Sequence, residues 1–307
     1  MNPSQLLSDH WSQHDRLLRL TTPTGAEQLL VESLHGVEDL SQGYRFNLTA
    51  LSQDAHIELK TLISQPVLLE LLTAHSRTEL RPFHGHITRI EAVGANGGLA
   101  RYRLTIEPWT AFLAYTRDSA IYQDMTVFDI LDAIFQSYQG QGKLNPRWRY
   151  DLADRSIYPR HSLITQYQES DGEFMHRLLS EDGLFSWFEH QGDANSASLG
   201  SHTLVIADHN GAFQPNPQPD IDFAQPGTVL KDDRIDRWRL QHNWQPQTVS
   251  LQSRDYRNLD SRPVTAAGNT GPDSPLFNPG HYQDSLGSYA YTSRAHGNAW
   301  PTGSRKP

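Results

Sequence analysis

Fifteen histidines and a run of carboxylates at Glu169, Asp171, Glu173, Glu181, Asp182 and Glu189 are the residues of this chain whose types could do chemistry. Imidazoles at ligand spacing would hold zinc, and paired carboxylates would serve as acid and base in glycoside hydrolysis. Spacing argues against both. No His-Glu-x-x-His occurs; His10 and His14 have the spacing of one helix face but sit in the N-terminal stretch; His84 and His86 are read as projecting to opposite faces of a strand. These are expected to be surface or core histidines. Asp171 and Glu173 fall at the N-terminus of a helix, where negative charge is favoured by about 0.3 to 1 kcal/mol. Glu181 and Asp182 receive no role. No Gly-x-Ser-x-Gly elbow is present, and Gly94-Ala95-Asn96-Gly97-Gly98 lacks the lysine and following helix of a phosphate loop. With no cysteine in the chain, thiol nucleophiles, disulfides and cysteine-based zinc sites drop out together. The expectation is a chain that is not an enzyme, with no catalytic, cofactor-binding or metal residue.

The carboxylates sit on a strand, a capped helix and a strand. Ser170 and Glu173 form a capping box, Phe174, Leu178 and Leu179 share one helical face, and Gly183 can take the left-handed conformation that ends the run. Leu184 to Glu189 then reads as an aromatic-rich strand packing on that helix. A second helix begins at Thr126, with Asp129 at capping-box distance. Its stripe is Val127, Ile130, Leu131, Ile134, Phe135 and Tyr138, running to Gly140. Before Pro108 the pattern alternates as in strands, at Tyr44 to Leu51, His84 to Ala92 and Arg101 to Glu107, the last two joined as a hairpin. His202 to Asp208 alternates as well. After a proline-rich crossing at 210–227, so do Arg234 to His242 and Thr248 to Tyr256. The fold class is therefore α+β, mainly β: two small antiparallel β-barrels, 1–112 and 210–307, with an α/β domain at 113–209 between them.

Composition narrows the partners. The chain has 307 residues, 37% hydrophobic and 20% charged, with a net charge of −9. No lysine and arginine stripe supplies a nucleic-acid footprint. No apolar run approaches a bilayer span, the greasiest being Pro66 to Leu72, and polar residues interrupt the N-terminal stretch where a signal peptide would be apolar. Neither nucleic acid, nor stable membrane insertion, nor a signal peptide is expected.

The stretch Gln166 to His190 resembles the signature of the VgrG family, the spike proteins of type VI secretion. Gln166, Tyr167, Glu169, Ser170, Asp171, Phe174, Arg177, Leu178, Leu179, Glu181, Gly183, Phe188, Glu189 and His190 stand where the family pattern places them, and Gln168 departs from its usual arginine. Phe83-His84-Gly85 with Ile87, Tyr102 to Pro108, Ile121 to Asp124 with Thr126, Val127 and Ile130, and Asp255-Tyr256 extend the resemblance, although Arg257 and Asn258 replace the usual acidic and aromatic pair. The resemblance implies a phage-tail hub-like fold and a homotrimer whose duplicated barrels form a pseudo-six-fold platform. That platform would nucleate or cap an Hcp-like inner tube and carry a puncturing spike. It further implies assembly in the cytoplasm followed by export through the type VI apparatus. The oligosaccharide-binding and needle parts that receive spike-tip and effector proteins are not seen before Pro307, so the chain reads as a hub segment. The alternative is the hub of a contractile phage or related injection particle, and then a carbohydrate-acting enzyme or binding module.

Overall fold

The computed structural model describes residues 12–13, 16–73, 80–96 and 98–215, isolated positions between 220 and 239, and the backbone of three strands at 248–254, 261–267 and 281–284. They belong to two compact units, one of residues 1–179 with 184–236 and one of 180–183 with 237–307.

The first unit opens with β1 (Leu18–Thr21), β2 (Leu30–Asp39), β3 (Gly43–Ser52), β4 (Pro66–Leu71), β5 (Arg81–Asn96) and β6 (Leu99–Glu107). They form one sheet in the order β1-β4-β5-β6-β3-β2, antiparallel throughout. Alternation decides which face is buried. Tyr44, Phe46, Leu48 and Ala50 of β3, with Tyr102, Leu104 and Ile106 of β6, point into one core, while Arg45, Asn47, Arg101 and Arg103 point out. Leu20, Val31, Val67, Leu69, Phe83 and Ile87 bring the other strands to the same core, so the sheet curls around it. The two ends of the order, β1 and β2, lie beside each other. The barrel-like first region and the hairpin through Gly94 to Gly98 expected from the sequence are both present.

Gly85 shows how tightly the curl is packed. A Cβ there would stand 2.6 Å from Ile106 Cγ2 and 3.1 Å from the Tyr44 hydroxyl.

A second core follows in the same unit. A 3-10 turn at Trp109–Ala114 leads into β7 (Arg117–Tyr122), α1 (Val127–Ser137), β8 (Arg147–Asp151), β9 (Ile164–Ser170), α2 (Asp171–Glu181), β10 (Phe185–Gly192) and β11 (Gly200–Ala207). α1 begins where expected: Thr126 accepts from the Asp129 N–H and Asp129 accepts from the Thr126 N–H. Every residue of its predicted stripe is buried. α2 has the same box, the Ser170 N–H donating to Glu173 at 2.8 Å and the Glu173 N–H to Ser170 Oγ at 3.2 Å. It ends at Gly183, with φ +70°, and the Leu184 N–H reaches back to the Leu179 carbonyl at 2.8 Å.

Both helices bury their apolar faces against Leu204 and Ile206 of β11 and Trp109. β10 pairs antiparallel with β11, and β11 pairs parallel with β8, while β7 and β9 form a separate antiparallel ribbon. The inner face of the ribbon packs on α2, Tyr122 stacking on Phe174 at 5.6 Å. Beneath it, buried Asp171 accepts from the Tyr138 hydroxyl at 2.7 Å and from Gln166 Nε2 at 2.8 Å. Burial, together with this carboxylate, pushes the Tyr138 hydroxyl up to about 12.

In the second unit β12 (Thr248–Arg254) pairs antiparallel with β13 (Ser261–Ala267) and parallel with β14 (His281–Asp284). The strand expected from Thr248 is there. The run Arg234 to His242 lies largely outside the described residues, and so does the tail after 260, whose glycine, proline, serine and asparagine content reads as loop.

Gly85→Ala is expected to cost about 1–3 kcal/mol through overpacking, read as a lowered urea midpoint with an unchanged slope. Tyr138→Phe removes one of the donors to a buried carboxylate and is expected to cost about 1–3 kcal/mol by the same measurement. A loss below a few tenths of a kcal/mol would mean that Asp171 finds another partner.

Candidate functional site

The two cores meet along β5, which is buried on both faces. Phe83 and Ile87 enter the first core, while His84 and His86 turn to the other side and are only 4% and 3% exposed. This corrects the expectation that the two histidines project to opposite faces. Residues two apart on a strand share a face, and their rings lie 5.9 Å apart. His190 of β10 and His202 of β11, cross-strand partners, come to the same place. So does Tyr44, whose hydroxyl donates to the His84 carbonyl at 2.5 Å.

The hydrogen bonds fix the tautomers. The Trp109 N–H donates to His202 Nε2 at 2.8 Å, so this nitrogen keeps its lone pair and the proton of the neutral ring is on Nδ1. That Nδ1 lies 2.8 Å from His84 Nδ1, which must accept. The His84 proton is then on Nε2, which donates to the Ser198 carbonyl at 2.8 Å. The His84 N–H in turn donates to His190 Nδ1 at 3.1 Å, leaving His190 Nε2 aimed at Glu38, 3.5 Å away. The result is a directed chain that runs from the Trp109 N–H through the neutral rings of His202 and His84 to the Ser198 carbonyl. Burial pushes His84 and His86 down to about 4, and pushes His202 well below its ordinary value. The same bonds count against a metal. To bind one through Nδ1, His202 would have to lose its single ring proton or shift it to Nε2 and give up the Trp109 donor, and no group of three or more ligand-type residues among those described has metal-site geometry.

The acidic run resolves into architecture. Glu169 accepts from Arg177 Nε and Nη2 at 3.1 and 2.5 Å, and Glu189 accepts from Arg149 Nη2 and Nε at 2.6 and 3.3 Å. Asp171 is spent on Tyr138 and Gln166, and Glu173 on the helix cap. No two of these four form an acid and base pair flanking a cleft. A shallow hollow of about 340 Å³ beside β8, lined by Pro146, Arg147, Trp148 and Thr203, has no carboxylate in its lining.

Two surfaces face outward. On the outer side of the ribbon, Ile121 is 66% and Tyr167 70% exposed, on the face opposite Tyr122. A bulge at Asp118/Ser119 accommodates Gln168 at φ +49°, its N–H donating to Ser119 Oγ. On the outer side of β10, Phe185 and Trp187 stack with Phe213 at centroid distances of 5.4 and 5.0 Å. Tyr122 and Phe188 pack against the cores, and Phe185 and Trp187 are half-buried on the other face of β10. Phe188 meets both cores, edge-on to Tyr44 at 5.2 Å.

The model of the phage tail baseplate hub (GPD) family matches residues 37–300. The type VI secretion system spike protein VgrG1b of Pseudomonas aeruginosa is 28% identical over 91% of this chain and 37% of its own length. This chain thus spans little more than a third of such a relative. Among solved structures, an Escherichia coli component of the type VI secretion system, described as similar to tail proteins of bacteriophage T4, aligns at 25% identity with a TM-score of 0.55. The alignment covers 67% of this chain and 52% of that one. A tail protein of Neisseria meningitidis MC58 has the same fold at 12% identity and a TM-score of 0.52, over 88% of this chain and 71% of that one. The curled six-stranded sheet, the α/β layer joined to it and the match across 37–300 agree: the chain belongs to the phage tail baseplate hub (GPD) family and is similar to VgrG spike proteins.

Proposed function

We propose that the chain is the hub portion of a type VI secretion spike and works by geometry rather than catalysis. Three copies form a ring in which the regions 1–112 and 210–307 of each chain alternate as related barrels, with 113–209 between them. Such a ring is three-fold on one side and near six-fold on the other, which lets it nucleate or cap an Hcp-like inner tube and carry the puncturing spike. Assembly takes place in the cytoplasm and export follows through the apparatus, with spike-tip and effector proteins held by parts beyond this segment.

The observation that carries this reading is the hub-family match over residues 37–300, alongside similarity to spike proteins over 91% of the chain. The exposed Ile121 and Tyr167, and exposed Phe213 against half-buried Phe185 and Trp187, supply apolar surface of the kind an assembling protein covers. The pairing of Glu169 and Glu189 with arginines engages two of the carboxylates on which the carbohydrate-acting alternative rested. A contractile phage or related particle is the second reading, favoured by the shared fold with the Neisseria tail protein.

Multi-angle light scattering at high concentration, with and without a tube protein from the same genome, tests the proposal. Three chain masses, or a trimer that forms on tube ends, is the expected result. Ile121→Asp with Tyr167→Asp should weaken assembly at least about tenfold, as about 1.4 kcal/mol lost per interface would do. A strict monomer that neither associates nor joins tube ends would overturn it.

A further inference from the structure

The His84–His202 contact ties β5 of the six-stranded sheet to β11 of the α/β layer by a bond that works in only one protonation state. A proton added to His84 has only Nδ1 to occupy, and places an N–H against the N–H of His202 Nδ1. A proton added to His202 goes to Nε2 and places an N–H against that of Trp109. Either way two donors meet at 2.8 Å, where a donor and an acceptor stood. We propose that this imidazole pair is a proton-sensitive latch between the curled sheet and the α/β layer, closed when both rings are neutral and released when either takes up a proton.

The surroundings sharpen the response. The ionisable groups felt by the pair are His86 of β5, His190 of β10 and Arg147 of β8, all able to carry positive charge. Carboxylates on the adjoining elements are engaged elsewhere. Glu38 of β2 lies 3.5 Å from His190 with Arg81 beside it, Glu107 of β6 holds Arg45 and Thr88, and Glu189 of β10 holds Arg149. In the loop after β10, Asp193 Oδ1 accepts from the Asn195 N–H. Tyr44 of β3 spends its hydroxyl on the His84 carbonyl. A proton arriving on the pair therefore meets the Arg147 charge and two further imidazoles, and none of these carboxylates is bonded to either ring.

The direction in pH follows from burial. An imidazole free in water titrates near 6.5, whereas His84 is held at about 4 and His202 well below its ordinary value while the seam is closed. The open form takes up protons that the closed form refuses. The latch is thus at full strength above about pH 6.5 and weakens as pH falls toward about 4.

Amide hydrogen exchange of the whole chain, corrected for intrinsic rates and compared at about pH 7 and about pH 4.5, tests this. Protection at β5 around His84 and at β11 is expected to fall at least about tenfold, while α1 and α2 keep theirs. In His84→Gln with His202→Gln the pH dependence of that loss should vanish. In the unaltered chain, exchange of the imidazole Cε1 hydrogens should show His84 and His202 titrating together where β11 opens. Unchanged protection at low pH, a uniform loss over both helices and strands, or independent titration of the two rings without opening of β11 would each overturn the proposal. So would the same pH response in a folded double variant.

Discussion

The constraint on which the first unit depends is that β5 has no solvent-facing side over His84 to Ile87. A strand buried on both faces is ordinarily apolar on both, because a buried polar group without a partner costs about 1–3 kcal/mol. Here one face is apolar, through Phe83 and Ile87, and the other carries two imidazoles. At His84 the second face is tolerable because the α/β layer brings matching groups, the Ser198 carbonyl and His202 Nδ1, while His86 Nδ1 is buried without a hydrogen-bond partner. Trp109, the first residue of the 3-10 turn after Pro108, has an N–H with no carbonyl ahead of it in the turn, and His202 caps that donor. A side chain of one layer thus completes the backbone of the segment that joins the two layers.

The acidic signature between Gln166 and His190 serves the same end by a different route. Each of Glu169, Asp171, Glu173 and Glu189 is held by a donor within reach of its own or an adjoining element, and together they fix the ribbon to α2 and β10 to β8. Glu169 with Arg177 locks β9 against α2, and Asp171 with Tyr138 locks α2 against the end of α1. What looks in sequence like an accumulation of acids is a set of hinges between elements that would otherwise touch only through apolar contact.

Legibility in the sequence followed the range of the interaction. Both capping boxes, the stripes of α1 and α2, the glycine that ends α2 and the β5–β6 hairpin are encoded within a few residues, and all could be read. β7 and β8 could not, because Arg117 to Tyr122 and Arg147 to Asp151 are half-polar runs whose pairing partners, β9 and β11, are remote in the chain. The histidine junction failed for two reasons. One was local and avoidable, since His84 and His86 are two residues apart and a strand puts them on one face. The other was not: nothing in the sequence brings His202, more than a hundred residues later, to 2.8 Å from His84.

The polar junction also differs in kind from an apolar one. Packed leucines stabilise a contact over a range of small rotations, whereas a directed chain of hydrogen bonds is satisfied in one arrangement and leaves buried donors unpaired in its neighbours. The curled sheet and the α/β layer are therefore set at one angle by the Trp109, His202, His84 and Ser198 chain, with Phe188 and Tyr44 filling the space beside it. In the proposed ring, an angular error at such a joint is repeated in every copy and decides whether the ring closes. Specifying the joint by polar pairing trades some stability for a fixed angle, and a closed ring needs the angle.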